Sequence, residues 1–398
     1  MMLQNQAHSG MRPVIALIGK RNAGKSSLMN QLIGQEVSIV SPELGTTTDA
    51  VGKAYELIPV GAVTIYDTAG LDDEGALGEK RVQAAQKIIE RADVVIYVIG
   101  REGITSDVAT TLRELHLKGT KFIPVLNFAD EMVFDKSTTA ALSLYQGISV
   151  SAKTGEGIDA LRQRLVELIQ TVGQGQSMIP DLVMAKDVVV LVTPIDTETP
   201  KGRMIMPQVQ ATRELLDRQA IVVTTQPETL QETLRSLKTK PILVITDSQA
   251  VKQVAEIVPE DIALTTFSIL MARAKWNIHQ VMEGIDALQW LRDGDKVLIA
   301  EGCSHRVTCH DIGRYLIPNL LQKFTGLKLD FDFTAGQDFP DDITAYKVII
   351  HCGGCMLNQK EVERRLKICV AKKVPVTNYG MLISLAQGVY ERVTEPVV

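Results

Sequence analysis

The sequence predicts an α/β protein throughout, with a larger N-terminal domain followed by two smaller α/β domains with mainly parallel sheets. Three observations lead there. A short apolar strand at residues 14–18 runs into a glycine-rich loop and then an amphipathic helix. Beyond residue 180, short continuous apolar runs alternate with segments of helical spacing, the pattern of parallel strands covered on both faces. Between these regions, residues 172–180 form a Gly/Gln-rich stretch that ends in proline and reads as a linker.

Bulk properties agree. The chain has 398 residues, enough for two or three domains, and 45 % hydrophobic with 22 % charged residues can fill several cores. Net charge is −5 and no Lys/Arg cluster marks a helix face, so no nucleic-acid partner is expected. No apolar run reaches the ~18 residues of a membrane span. Residues 1–12 are polar, lack the apolar stretch of a secretion signal and read as a flexible tail. The five cysteines (Cys303, Cys309, Cys352, Cys355 and Cys369) all lie in the last quarter. An odd, clustered set suits a reduced cytoplasmic metal site better than a secreted disulfide framework.

The first domain, residues 13–175, begins with the strand at 14–18. Gly19-Lys20-Arg21-Asn22-Ala23-Gly24-Lys25-Ser26 follows, then Ser27 and a helix to about residue 33. This is the phosphate loop Gly-x4-Gly-Lys-Ser/Thr between the strand and helix it requires. Backbone N–H groups from Gly19 to Ser27 can wrap the phosphates at the positive end of the helix. Lys25 is placed to reach the β- and γ-phosphates, and the Ser26 hydroxyl to ligate Mg2+. A strand at 63–66 ends in Asp67-Thr68-Ala69-Gly70, where Asp67 can hold the magnesium through water and Gly70 can contact the γ-phosphate. Thr46, Thr47 and Thr48 lie in the loop before a strand at 51–57, and a hydroxyl there, taken as Thr47, completes the metal shell. Asn127-Phe128-Ala129-Asp130 follows a strand at 122–126, and Ser151-Ala152-Lys153 follows one at 148–150. These are, in order, the five signatures of a Ras-like P-loop GTPase domain. Asp130 pairs with guanine, which makes GTP the expected nucleotide. Phe128 stands where the guanine signature normally carries lysine, and its ring can take the place of the lysine stem by stacking.

Asn22 and the Gly45-to-Asp49 loop resemble the Era/TrmE-like group of GTPases. That resemblance implies K+ bound at Asn22 beside the phosphates. Leu71 stands where Ras-like enzymes carry a water-orienting glutamine. Catalysis then falls to potassium and a carboxylate of Asp72, Asp73 or Glu74, unless these three form a solvated switch loop.

The middle domain, residues 180–266, reads as strands at 188–192, 220–224, 241–245 and 263–267 with helices at 207–218, 229–238 and 248–258. It carries no catalytic constellation and reads as an oligomerisation platform, so a homodimer or higher oligomer is expected.

The third domain, residues 267–398, reads as a helix at 278–291 and a strand at 296–300 ending in Glu301-Gly302-Cys303. A helix at 310–324 and a strand at 328–333 follow. The strand at 347–350 ends in His351-Cys352-Gly353-Gly354-Cys355, before a helix at 359–371 and a short strand at 375–377. Although 45 residues separate His305 from His351, both segments follow strand ends, where ligands of open α/β sheets gather. Cys303, Cys352 and Cys355, with His305 and His351, form a candidate metal set. It fits a closed zinc site or a 4Fe–4S cluster with one open iron. Cys309 reads as a helix cap and Cys369 as core.

A G domain of this kind followed far downstream by Cys-x-His and His-Cys-x-x-Cys resembles the HydF family of FeFe-hydrogenase maturation GTPases, over essentially the whole chain. The resemblance implies GTPase, dimerisation and cluster-binding domains, with a 4Fe–4S cluster on Cys303, Cys352 and Cys355 and an exchangeable fourth position. It implies a carrier that accepts a di-iron precursor from radical-SAM maturases and delivers it to the apo FeFe-hydrogenase. Two other readings stand beside it: an RNA- or ribosome-associated GTPase with structural zinc, and a thiol redox switch through Cys352 and Cys355.

Overall fold

The computed structural model describes residues 12–34, 52–68, 70, 76–171, 176–195, 204–302, 312–336 and 338–398. The chain forms two compact units, residues 1–174 and 175–398.

In the first unit, β1 (Val14–Ile18) is buried at every position, as a central strand with both faces covered must be. It is followed by α1 (Lys25–Ile33), β2 (Gly52–Leu57), β3 (Gly61–Asp67), α2 (Ala76–Arg91) and β4 (Val94–Ile99). Then come α3 (Ser106–Leu117), β5 (Phe122–Leu126), α4 (Lys136–Leu144), β6 (Ile148–Ser149) and α5 (Ile158–Thr171). The sheet order is β2-β3-β1-β4-β5-β6, and only the β2–β3 pair is antiparallel. Chain order reverses at β1, which has β3 on one side and β4 on the other. The crevice beyond its carboxyl end is therefore the switch point where α/β sheets take ligands. Gly19 sits there at φ +146°, and a Cβ on it would lie 2.2 Å from the Val98 carbonyl oxygen. Only glycine lets the loop pass so close to β4.

The second unit begins with β7 (Val188–Val192), α6 (Met206–Asp217), β8 (Ile221–Thr225), α7 (Leu230–Ser236), β9 (Leu243–Thr246), α8 (Val251–Ile257) and β10 (Ala263–Thr266). These strands form a parallel sheet of order β10-β9-β7-β8. Next are α9 (Phe267–Lys275) and α10 (Ile278–Asp286), which runs into a tight turn at Ala287–Trp290 where the sequence reading continues one helix. β11 (Lys296–Ala300), a wide helical turn at Ile312–Leu316, α11 (Ile317–Thr325), β12 (Asp330–Thr334) and β13 (Val348–His351) follow. α12 (Gln359–Lys372), β14 (Val376–Asn378), α13 (Tyr379–Ala386) and α14 (Tyr390–Thr394) complete the chain's main elements. The second parallel sheet has the order β12-β11-β13-β14.

One hydrophobic core runs through both sheets of this unit. The sequence reading passes over α9, which is buried on nearly every face and packs on α6 to one side and on α12 and α13 to the other. A helix apolar all round belongs in a core rather than at a domain edge. The end of the chain returns to the first of the two sheets. Thr265 Oγ1 donates to the Val393 carbonyl at 2.8 Å, and Arg392 donates to the carbonyls of Ala255 and Val258 at 2.9 and 2.7 Å. Chain order also reverses at β11, so the crevice beyond β11 and β13 is a second switch point.

Candidate functional site

In the first unit the phosphate loop, the guanine signature and the 151–153 loop border one cavity of about 600 Å³, lined by Asn22, Lys25, Asn127, Phe128, Asp130 and Lys153. Lys25 is buried at the start of α1, and its ammonium donates to the carbonyls of Gly19 and Lys20 at 3.1 and 2.8 Å. The charge is thereby held at the centre of the phosphate loop. Ser26 Oγ donates to Asp67 Oδ2 at 2.5 Å, while Asp67 Oδ1 is buried without a hydrogen-bond partner. A buried carboxylate oxygen left over beside a serine hydroxyl fits a hydrated Mg2+, because unsatisfied buried acceptors are costly.

Asn127 joins the loops: its Nδ2 donates to the Ala23 carbonyl and its Oδ1 accepts from Ala152 N–H, both at 3.1 Å. Ser151 Oγ accepts from Thr154 N–H at 3.0 Å and Lys153 N–H at 3.3 Å, which shapes the loop beside Asp130. Gly70 is buried, three residues past the end of β3. Thr46, Thr47, Thr48, Asp72, Asp73 and Glu74 lie outside the described residues.

In the second unit the backbone of Cys352 continues the ladder, donating to the Ala300 carbonyl at 2.8 Å. Its Sγ accepts from Gly302 N–H at 3.0 Å and from Gly354 N–H at 3.4 Å. Gly302 thus ties the end of β11 to the Cys352 loop. Cys352 and Cys355 are both free thiols. Burial, reinforced by Cys355, pushes the Cys352 thiol up to about 11; burial also raises Cys355, against the opposing pull of Lys275. A metal here would take the place of the thiol protons. Lys275, its pKa brought down to about 8 by burial, donates to the carbonyls of Leu357, Gly354 and Cys355 at 2.6, 3.1 and 3.4 Å. It pins the loop from beneath. The indole N–H of Trp276 is buried without a partner, 3.6 Å from where a Cβ on Gly354 would sit. Two backbone donors on the Cys352 sulfur, with an unsatisfied indole N–H beside the same loop, suit an added acceptor such as a cluster sulfide.

His351, placed in the candidate metal set by the sequence, is engaged through both ring nitrogens. Its ring is fully buried at the end of β13, 4.7 Å from the Trp276 ring. Arg365 donates to Nε2 at 2.9 Å and Nδ1 donates to the Cys352 carbonyl at 2.7 Å. Burial and the adjacent guanidinium bring its pKa down to about 3. The ring supports the cysteine loop and has no lone pair to spare for a metal. Among the described residues no three His, Cys, Asp or Glu side chains gather as a metal group; Cys303, His305 and Cys309 lie outside them. Cys369 is buried core, as expected.

Sequence reasoning missed Lys275, Trp276, Arg365 and Glu361. For the last two a signal exists: Glu361, Arg365 and Cys369 recur at intervals of four, which puts them on the helix face that carries the core cysteine.

Comparison with known proteins separates the units. Residues 14–128 match a family model described as 50S ribosome-binding GTPase. The tRNA modification GTPase MnmE of Nitrosospira multiformis is 36 % identical over 170 residues, 41 % of this chain and 37 % of that protein. GTPase Der of Clostridium kluyveri is 33 % identical over 167 residues, 41 % of this chain and 38 % of that protein. The chain thus spans little more than a third of the length of these curated relatives. Among solved structures, the T. maritima FeoB G domain (23 % identity, TM-score 0.32) covers 40 % of this chain and 99 % of its own. Aquifex aeolicus Era (20 % identity, TM-score 0.34) covers 56 % and 98 %. Residues 178–276 match the hydrogen maturase F dimerization domain and residues 279–396 its tetramerization domain. These two matches take in more than half of the chain, on the unit that holds the Cys352–Cys355 loop, and with the GTPase domain before them they show that the chain belongs to the hydrogen maturase F family.

Proposed function

We propose that the protein is a GTP-hydrolysing scaffold and carrier that assembles the di-iron subcluster of FeFe-hydrogenase and delivers it to the apoenzyme. The observation that carries this reading is the Cys352–Cys355 loop, where the N–H of Gly302, the residue before Cys303 in the chain, reaches the Cys352 sulfur at 3.0 Å. Cys303, Cys352 and Cys355 would hold a 4Fe–4S cluster, with His305 near it and His351 supporting the loop from behind. Bound there, the cluster supplies an iron with an exchangeable position. Three protein thiolates leave that position for a passenger, the di-iron unit, received from radical-SAM maturases.

In the GTPase domain, Lys25 neutralises phosphate charge, Ser26 and Asp67 hold Mg2+, and Asp130 selects guanine. Asn22 would hold a K+ ion, whose charge would offset that developing on the phosphates in the transition state. Nucleotide turnover orders and releases the switch residues and so governs release of a partner. The dimerization and tetramerization family matches support a homo-oligomer. No helix among the described residues is long and apolar enough to cross a membrane; the odd, clustered set of cysteines favours a cytoplasmic setting.

Protein prepared without oxygen tests the reading. About four irons per chain, with a brown chromophore lost in Cys352→Ser, supports it. A colourless zinc protein would favour the RNA-associated GTPase, and a metal-free protein with a reversible Cys352–Cys355 disulfide the thiol switch.

A further inference from the structure

The guanine signature of this chain has an aromatic ring where a lysine is usual, and the structure shows what holds that ring. Phe128 is set at φ +68°. Its ring tip lies 3.6 Å from where a Cβ on Gly24 would sit, so one edge rests against the phosphate loop. The Arg101 guanidinium lies over the ring, 3.7 Å from its centroid. That guanidinium is in turn fixed by Glu131, which accepts from its Nε at 3.0 Å and from its Nη2 at 2.5 Å. The other Glu131 oxygen lies 4.0 Å from the Lys153 ammonium, in the loop that flanks the base.

We propose that Arg101 is a positioning residue for the guanosine pocket, acting through Phe128. The ring forms the pocket wall, and the guanidinium, held by Glu131, clamps it against the phosphate loop and supplies the positive charge that the missing lysine would have brought. A cation stacked on an aromatic face is attracted by the ring quadrupole, and a planar guanidinium does this best when a carboxylate fixes its orientation. The arrangement also ties Arg101 and the segments 127–131 and 151–153 into one unit.

The proposal rests on guanine-nucleotide binding at this cavity, so the test separates the two. GDP affinity and steady-state GTP hydrolysis are measured for the full-length wild type, Arg101→Ala, Phe128→Lys and the double variant. Arg101 is about half exposed, so the alanine variant is expected to fold with an unchanged melting temperature. Arg101→Ala should weaken GDP binding about two- to fivefold, the range of a partly exposed cation–π contact, and raise KM with kcat unchanged. Phe128→Lys should bind GDP at least as well as wild type, and in that background Arg101→Ala should cost nothing. An equal loss from Arg101→Ala in both backgrounds, or no loss in either, would overturn the proposal. A wild type indifferent to GDP would instead overturn the nucleotide reading beneath it.

Discussion

Arg365 and His351 share a hydrogen bond of 2.9 Å in which the guanidinium is the donor and ring Nε2 the acceptor. Because a guanidinium cannot accept, the ring proton must sit on Nδ1, which donates to the Cys352 carbonyl at 2.7 Å. A fully buried arginine thus sets the tautomer of a histidine that holds the backbone of a cysteine. Arg365 itself is satisfied by Glu361 Oε1 at 2.7 Å and the Gly336 carbonyl at 2.6 Å.

The first prediction concerns that chain of contacts. Arg365→Met leaves Glu361 with Arg364 as its remaining cationic partner and leaves His351 Nε2 and the Gly336 carbonyl without their donor. Each buried acceptor stripped of its donor costs about 1–3 kcal/mol. Thermal denaturation should therefore show the unit at 175–398 melting well below wild type. A melting temperature within a degree or two of wild type would mean that water replaces the guanidinium at no cost.

The Glu361 partner gives a pH dependence. Burial alone would raise its pKa, but the guanidinium groups of Arg364 and Arg365 outweigh that and hold it below the usual glutamate range. A carboxylate depressed in the folded state stabilises fully above its unfolded pKa and loses that contribution as pH falls through the folded value. Glu361→Gln should accordingly lower the melting temperature at neutral pH. The gap to wild type should close as pH drops below the ordinary glutamate pKa of 4.5. A gap that stays constant with pH would assign the loss to packing rather than charge.

Iron content separates a ligand from a support. Cys355→Ser removes a thiolate, so anaerobically reconstituted protein should lose most of its iron and its visible absorbance. His351→Gln keeps an acceptor near Arg365 and all the cysteines, and should retain most of the iron. If both variants lost iron alike, the imidazole would be a ligand after all, freed from Arg365 when metal is bound.

These contrasts show what the sequence could reveal. The phosphate loop, Asp67 and Asn127 were legible because phosphate and guanine chemistry demand fixed residue types at strand ends, and the strands are continuous apolar runs. The strand that leads into Cys352 was legible because it too is a continuous apolar run. The role of His351 was not, because a metal-ligand histidine and a buried hydrogen-bonded one have the same letter. Only the meeting of α12 with β13 puts Arg365 on Nε2. Helix α9 was passed over because its apolar residues show no one-sided period, which is what burial on nearly every face produces. The strap from Thr265 to Val393 spans 128 positions and leaves no local trace.

Asn127 should prove the structural centre of the nucleotide site. Its amide links Ala23 to Ala152, and Asn127→Ala leaves a buried carbonyl and a buried N–H unpaired, at about 1–3 kcal/mol each. GDP affinity measured by calorimetry should fall by at least tenfold. Asn127→Asp should restore only the bond from Ala152 N–H, and so recover part of the affinity. Full affinity in the alanine variant would show that the loops hold their places without the amide.

The last prediction tests why residue 22 is asparagine. There are two physical reasons, and they can be told apart. Asn22 holds φ +60°, a left-handed conformation that asparagine tolerates better than most residues. Its side chain also borders the nucleotide cavity, where a carboxamide oxygen could ligate a monovalent cation beside the phosphates. Alanine would confuse the two by adding backbone strain, whereas glycine keeps the conformation and removes only the oxygen. GTP hydrolysis by the wild type should be faster in potassium than in sodium at equal ionic strength. Asn22→Gly should keep its GDP affinity within a few-fold and lose that preference. A glycine variant that still distinguishes potassium from sodium would leave Asn22 with a backbone role alone, and the cation would have to be held by other oxygens.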